Sequence, residues 1–178
     1  MTEERLILVD PDDNILGYET KAKCHQGKGI LHRAFSLFIF NRDKQLLVQK
    51  RSALKPLWPL FWSNSVCSHP RQDEMDIEAA HRRLKEEIGI DAPLQFLFKF
   101  QYQASFKDIG SEHELCSVYI GKTAASIQAN PEEIAQWRWL DLEELDREIR
   151  ARPERYSPWF KLEWQRIKAD FMKEVEAL

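Results

Sequence analysis

The stretch from Asn64 to Ile90, NSVCSHPRQDEMDIEAAHRRLKEEIGI, joins an extended segment to an amphipathic helix, and both parts carry reactive side chains. Ile77, Ala80, Leu84 and Ile88 recur at helical spacing, which predicts a helix over 74–88 that lays an apolar stripe on a core and stops at Gly89. Ahead of it, Cys67 and His69 lie two residues apart, so on an extended segment both side chains leave the same face. Arg83 and Glu87 stand one helical turn apart. Glu86 and Glu87 fall where the helix macrodipole is already negative, and a divalent cation there would relieve the repulsion. A charge run of this kind, taken alone, is ordinarily a solvated helix face with Arg–Glu pairs. A thiol, an imidazole and clustered carboxylates in so short a span suggest more than packing: chemistry at a metal and a phosphate.

The remainder reads as strands followed by helices. RLILVD enters the turn-forming DPDDN, and the apolar runs 33–40 and 45–50 flank Asn41-Arg42-Asp43-Lys44 as a predicted hairpin. Trp58-Pro59 and Phe61-Trp62 mark an aromatic, irregular segment. Leu94, Phe96, Phe98, Phe100 and Tyr102 alternate at period two, predicting a half-buried strand, and 114–120 and 135–140 read as further strands. Helices are predicted over 141–150 and from Pro158 to about Val175. Strands outnumber helices without alternating regularly with them, which favours an α+β fold with a mixed-sheet sandwich over a doubly wound parallel sheet.

Composition excludes several function classes. A chain of 178 residues, 43% hydrophobic and 31% charged, reads as a single soluble domain over 1–178. A formal charge of −3 argues against nucleic-acid or membrane partners, and no apolar run approaches the length of a membrane span. MTEERLILVD lacks the apolar core of a secretory signal, and three cysteines without framework spacing fit a reducing compartment, so a cytoplasmic location is expected. The chain is compatible with a monomer or a homodimer.

The helix resembles a Nudix box, G-x5-E-x7-R-E-U-x-E-E-x-G-U with U aliphatic. Glu74, Arg82, Leu84, Glu86, Glu87, Gly89 and Ile90 match at the right spacing, while Ser68 replaces the first Gly and Arg83 replaces the Glu after Arg82. Loss of that carboxylate counts against a nucleoside-diphosphate-X hydrolase, the alternative within the superfamily, because hydrolysis there uses several acids to hold metal and activate water. His25, His32, RSALKPLW at 51–58, NSVCSHP, FQYQAS, EHELC and YSPWF, in this order, are similar to the type I isopentenyl-diphosphate delta-isomerases. The resemblance runs from about His25 to the Ser157-Pro158-Trp159 segment and implies a Nudix-type mixed β-sheet sandwich flanked by α-helices.

What it implies chemically is a shift of the double bond of isopentenyl diphosphate to give dimethylallyl diphosphate. That reaction needs an alkene to be protonated, a tertiary cation to be tolerated and a neighbouring proton to be removed. By resemblance Cys67 and Glu114 are the two proton-transfer groups, Tyr102 assists Glu114, and Trp159 offers its π face to the cation. His25, His32, His69, Glu112 and Glu114 would hold one divalent metal, Mn²⁺, Mg²⁺ or Zn²⁺, a choice that an imidazole–carboxylate set leaves open. Glu112 and Glu114, two apart on a predicted strand, share a face from which His113 points away. Lys21, Arg51, Lys55 and Arg83 would take the diphosphate, with a second cation, Mg²⁺, on Glu87. Cys24, Cys116, His81 and His113 read as ordinary structural or surface residues.

Overall fold

The computed structural model describes residues 4–178, so Met1, Thr2 and Glu3 of the domain expected over 1–178 lie outside it. Its hub is β3 (His32–Phe40), buried almost throughout, as a strand covered on both faces must be. β3 runs parallel to β8 (Gly110–Lys122), from His32 opposite Glu114 to Phe40 opposite Lys122. On its other side it pairs antiparallel with β6 (Val66–Ser68), Ser36 facing Cys67. β8 returns antiparallel along β7 (Leu94–Phe106). β1 (Arg5–Val9) and β2 (Ile15–Thr20) form a hairpin attached through Leu8 opposite His32. β4 (Leu46–Arg51) takes β9 (Ile134–Leu140) and the short β5 (Trp62–Ser63) as partners.

Alternation along β3 divides the core. Phe35, Leu37 and Ile39 pack with Ala79, Ala80, Leu84 and Ile88 of α2 (Asp76–Ile88). Ala34, Phe38 and Phe40 face the opposite way, in one cluster with Phe160, Trp164 and Ile167 of α4 (Pro158–Asp170). Full burial of such side chains contributes about 1.5–3 kcal/mol each. The result is the expected α+β sandwich, a mixed sheet held between helices. α2 ends at Gly89, whose φ of 69° is left-handed and whose N–H caps the carbonyls of Leu84 and Lys85. A Cβ there would also lie 2.8 Å from that of Gln128, so both conformation and space call for glycine.

Several elements differ from expectation. The predicted 41–44 hairpin closes its turn through Asn41 Oδ1, which accepts from the Asp43 and Gln45 amides at 3.0 and 2.9 Å. Yet β3 and β4 pair only at Phe40 and Leu46, because β3 takes its other strand partners from β1, β6 and β8 and β4 takes its own from β9 and β5. The helix predicted from Pro158 to about Val175 is two helices, α4 and α5 (Met172–Glu176). Phe171 breaks it, leaving the helical region at φ −129° to stack its ring on Phe98, 5.2 Å between centroids. α3 (Leu142–Ala151) starts at Asp141 as expected. β2, β5 and the one-turn α1 (Lys21–Cys24) had no periodic signal, being too short or too exposed to show one.

Candidate active site

Strand register brings the reactive groups together. His32 on β3 faces Glu114 on β8, and Glu114 faces Tyr102 on β7, so one row across three strands carries an imidazole, a carboxylate and a phenol. Residues directly opposite one another project to the same face. Glu112 follows on that face of β8, two residues before Glu114. On the other flank of β3, β6 delivers Cys67, and the chain continues to His69. His25 arrives from the end of α1, where its carbonyl accepts the Ser111 amide at 3.0 Å. Gly110 permits this approach, since a Cβ there would lie 2.4 Å from the His25 oxygen.

The five metal-site residues expected from the sequence form one cluster. His25, His32, His69, Glu112 and Glu114 offer ligand atoms that all lie within 4.8 Å of one another. The three imidazole centroids are 4.9–5.2 Å apart. His25 and His32 each spend Nδ1 on a backbone carbonyl, Lys21 O and Ile30 O, both at 2.6 Å, which turns Nε2 toward the carboxylates. Metal-binding histidines are oriented in this manner. His69 Nε2 lies 2.8 Å and His32 Nε2 3.7 Å from Glu114 Oε1, and His25 Nε2 lies 2.8 Å from Glu112 Oε2. His32 Nε2 is buried and takes no hydrogen bond in the protein, although such atoms ordinarily find a partner, and Glu112 Oε2 has only its close approach to His25 Nε2, without hydrogen-bond geometry. Orphaned donor atoms converging from imidazoles and carboxylates fit a divalent metal.

A cavity of about 530 Å³ opens beside this cluster, lined among others by Lys21, Arg51, Lys55, Cys67, Arg83, Tyr102, Glu114 and Trp159. The Tyr102 hydroxyl donates to Glu114 Oε2 at 2.5 Å. Burial pushes the Glu114 carboxyl up, but His32 and the Tyr102 hydrogen bond outweigh it and hold the group below the usual carboxylate range. Burial drives the Tyr102 phenol well above its ordinary value, and the Cys67 thiol up to about 12. Trp159 is pinned through Nε1, which donates to Ser63 Oγ at 3.1 Å and Asn64 Oδ1 at 3.2 Å. Arg51 lies over the Trp159 ring at 5.2 Å and reaches Cys67 Sγ at 3.8 Å. Its Nε and Nη2 donate to the carbonyls of Trp58 and Leu57. A wider open groove of about 790 Å³ around Trp62, Trp137 and Arg138 shares none of these acid–base or metal-cluster groups.

The cationic end is more neutralised than the sequence suggested. Lys21 pairs with Glu4 at 3.4 Å. Arg83 donates to Glu87 Oε1 through Nε at 3.0 Å and Nη2 at 2.6 Å, and to Glu86 through Nη1 at 2.8 Å. Both contacts to Glu87 fall on Oε1. Glu87 is buried, which raises its pKa despite the opposing charges of Arg83 and Lys55. Glu74 and Arg82, matched to the box by spacing, form a two-pronged ion pair at 2.7 and 2.9 Å, and Arg82 Nη2 also reaches the His69 carbonyl at 3.5 Å.

Two groups escaped the sequence reading. Glu133, before β9, bonds to both Lys55 and Arg83. Glu163 lies fully buried on α4, one turn after Trp159, where Cys116 Sγ donates to its Oε1 at 3.5 Å and burial pushes its carboxyl up to about 8. Neither belongs to a recognisable spacing. Glu133 has only the charged PEE run to mark it, and Glu163 sits among the apolar residues of a helix with no second acid at a motif spacing. Cys24 and Cys116 are buried, while His81 pairs with Asp91 on the surface, as expected for structural residues.

Residues 30–160 match the NUDIX domain family. The chain is 42% identical over 166 residues to a Photorhabdus laumondii protein named isopentenyl-diphosphate Delta-isomerase 1, covering 92% of this chain and 94% of that one. A Serratia proteamaculans isopentenyl-diphosphate Delta-isomerase is 44% identical, over 89% of this chain and 88% of its own. Among solved structures, a Deinococcus radiodurans protein superposes with a TM-score of 0.69 at 26% identity, over 83% of this chain and 90% of that one. A MutT protein from Methanosarcina mazei superposes at 0.64 with 18% identity, over 79% and 94%, and speaks for the fold alone.

Proposed function

Since the chain belongs to the NUDIX domain family and, within it, to the isopentenyl-diphosphate Delta-isomerases, we propose that Cys67 and Glu114 carry the two proton transfers of that reaction. The enzyme isomerises isopentenyl diphosphate to dimethylallyl diphosphate. One group gives a proton to the terminal alkene carbon, and the other removes one from the carbon beside the tertiary cation. Because bond migration is reversible, each group donates in one direction and accepts in the other. The observation that carries this reading is the Tyr102–Glu114–His32 row, with Cys67 lining the same 530 Å³ cavity as Tyr102 and Glu114.

Each residue has a defined task. Tyr102 holds the Glu114 oxygen and passes charge through a short hydrogen bond. Trp159, unable to rotate while Ser63 and Asn64 hold its N–H, presents a π surface to the developing cation. Burial of Tyr102 and Trp159, with Cys67 half-buried beside them, keeps water from quenching that cation. Lys21, Arg51, Lys55 and Arg83 anchor the diphosphate, and Glu87, with its second oxygen unspent on Arg83, takes the Mg²⁺ that accompanies it.

The family acts with a divalent metal, and the His25, His32, His69, Glu112 and Glu114 cluster is able to hold one. We assign it Mn²⁺, Mg²⁺ or Zn²⁺. When bound, the metal supplies positive charge that orients Glu114 and sets its affinity for a proton. All three cysteines are free, in keeping with a reducing, cytoplasmic setting. No helix among the described residues is long and apolar enough to cross a membrane.

Purified enzyme given isopentenyl diphosphate and a divalent metal should form dimethylallyl diphosphate without releasing phosphate. Phosphate release without the allylic product would instead identify a Nudix hydrolase, the reading that Arg83 in place of an acid disfavours.

A further inference from the structure

Lys55 and Arg83 reach the cavity from unrelated parts of the chain, one from the loop after β4 and the other from α2. Two cations converging on one site repel one another until an anion arrives. In this protein an anion is already between them. Glu133 receives Lys55 Nζ on Oε2 and Arg83 Nη2 on Oε1, the latter at 2.9 Å. One carboxylate therefore spends each oxygen on a different cation.

The backbone around Glu133 is tied to the same two elements. Its carbonyl accepts the Ser52 amide at 2.9 Å, three residues before Lys55. Its own amide donates to Asn130 O at 3.0 Å, and the Asn130 amide donates to the Glu87 carbonyl at 2.8 Å, at the end of α2. Glu133 is thus braced between the Lys55 loop and the Arg83 helix by main chain and side chain together. The charges of Lys55 and Arg83 hold its carboxyl down at about 2 against the effect of burial, so the brace stays ionised at any physiological pH.

The guanidinium also has little freedom left. Four of the five N–H donors of Arg83 are used, on Glu86, Glu87 and Glu133. Its plane is consequently set before substrate arrives, which lowers the ordering cost of binding.

We propose that Glu133 is a positioning residue for diphosphate recognition, a single carboxylate that holds Lys55 and Arg83 at the separation and orientation the diphosphate requires. The proposal rests on the reading that these two cations bind the diphosphate. It makes Glu133 a determinant of substrate affinity although it performs no proton transfer.

The test compares Glu133→Gln, Glu133→Ala and Glu133→Asp with wild-type holoenzyme. It measures kcat and KM for isopentenyl diphosphate together with the dissociation constant of inorganic pyrophosphate. For Gln and Ala, KM and the pyrophosphate constant should both rise about tenfold, with kcat within about threefold of wild type. Asp, which keeps the charge but shortens the reach, should fall between, and it carries the test alone should the other two not fold. An unchanged KM, or a drop in kcat at unchanged KM, would overturn the proposal. A lower KM would overturn it too, by making Glu133 a competitor of the substrate. Lys55→Ala and Arg83→Ala run alongside; if these leave pyrophosphate affinity intact, the diphosphate reading of the two cations fails and the role of Glu133 with it, whereas weakened binding in these two variants beside an unchanged KM in the Glu133 variants overturns the role of Glu133 alone.

Discussion

Tyr102 and Glu114 face each other directly across the β7–β8 pair, and the phenol donates to the carboxylate at 2.5 Å. The other oxygen of the same carboxylate lies 2.8 Å from His69 Nε2. Glu114 is therefore gripped on one side by a group that can follow its proton and on the other by the metal cluster. Replacing Tyr102 with Phe removes one hydrogen bond to a buried charge, and kcat should fall about 10–100-fold. Steady-state kinetics would check this, with the KM for isopentenyl diphosphate expected to hold. A kcat equal to wild type would remove Tyr102 from the proton path.

Cys67 is a neutral thiol across the physiological range, its pKa carried up to about 12 by burial. Cys67→Ala deletes one acid–base partner and, at the cationic end, only the 3.8 Å contact from Arg51, whose hydrogen bonds to the Trp58 and Leu57 carbonyls remain. Turnover should drop about 10²–10⁴-fold. Pyrophosphate binding, followed by calorimetry, should be unaltered. Retained turnover in a folded Ala variant would contradict the assignment, and Glu114→Gln should lose activity in the same manner.

Metal removal offers a separate reading. A ligand bound only by the folded state stabilises it by about 2.7 kcal/mol at one hundred times its dissociation constant. Exhaustive chelation should therefore lower Tm as well as abolish activity, and divalent metal should restore both. In His32→Ala, which loses a fully buried member of the cluster, the chelator-sensitive part of Tm should shrink. Full activity after demonstrated metal loss would rule the cluster out as a working site.

Glu163 makes a prediction about pH. Its folded pKa is raised from 4.5 to about 8 by burial. The native state thus binds this proton more tightly than the unfolded chain does. The corresponding stability is complete below about pH 4.5 and is lost as pH rises through about 8. Glu163→Gln, a neutral mimic, removes the dependence. Its Tm relative to wild type should be higher at pH 9 than at pH 5, and parallel Tm–pH curves for the two proteins would show that the group does not titrate in this window.

Much of the site was legible in the sequence because its spacings are local. Cys67 and His69 share a face through the period of two of an extended chain, and Glu112 and Glu114 do the same on β8. The helix over 76–88 followed from the apolar residues at 77, 80, 84 and 88, and its end at Gly89 from the left-handed turn required there. The break at Phe171 was invisible because its cause, the Phe98 ring, lies on a distant strand. The same holds for the β3–β4 turn, which reads as a hairpin although its strands separate at once to satisfy other partners.

By itself, then, the sequence determined which side chains are present, which neighbours share a face, and which family pattern they match. Tertiary structure alone decided which of them meet. His69 and Glu114 are 45 residues apart, and Glu133 stands 78 residues from Lys55 and 50 from Arg83. Those meetings depend on parallel pairing of β3 with β8 and on the path of the loop before β9, both set by long-range burial and hydrogen bonding. Local periodicity carries no information about such partners, so the spacing of Arg83 and Glu87 was legible while the Glu133 carboxylate beside Arg83 was not.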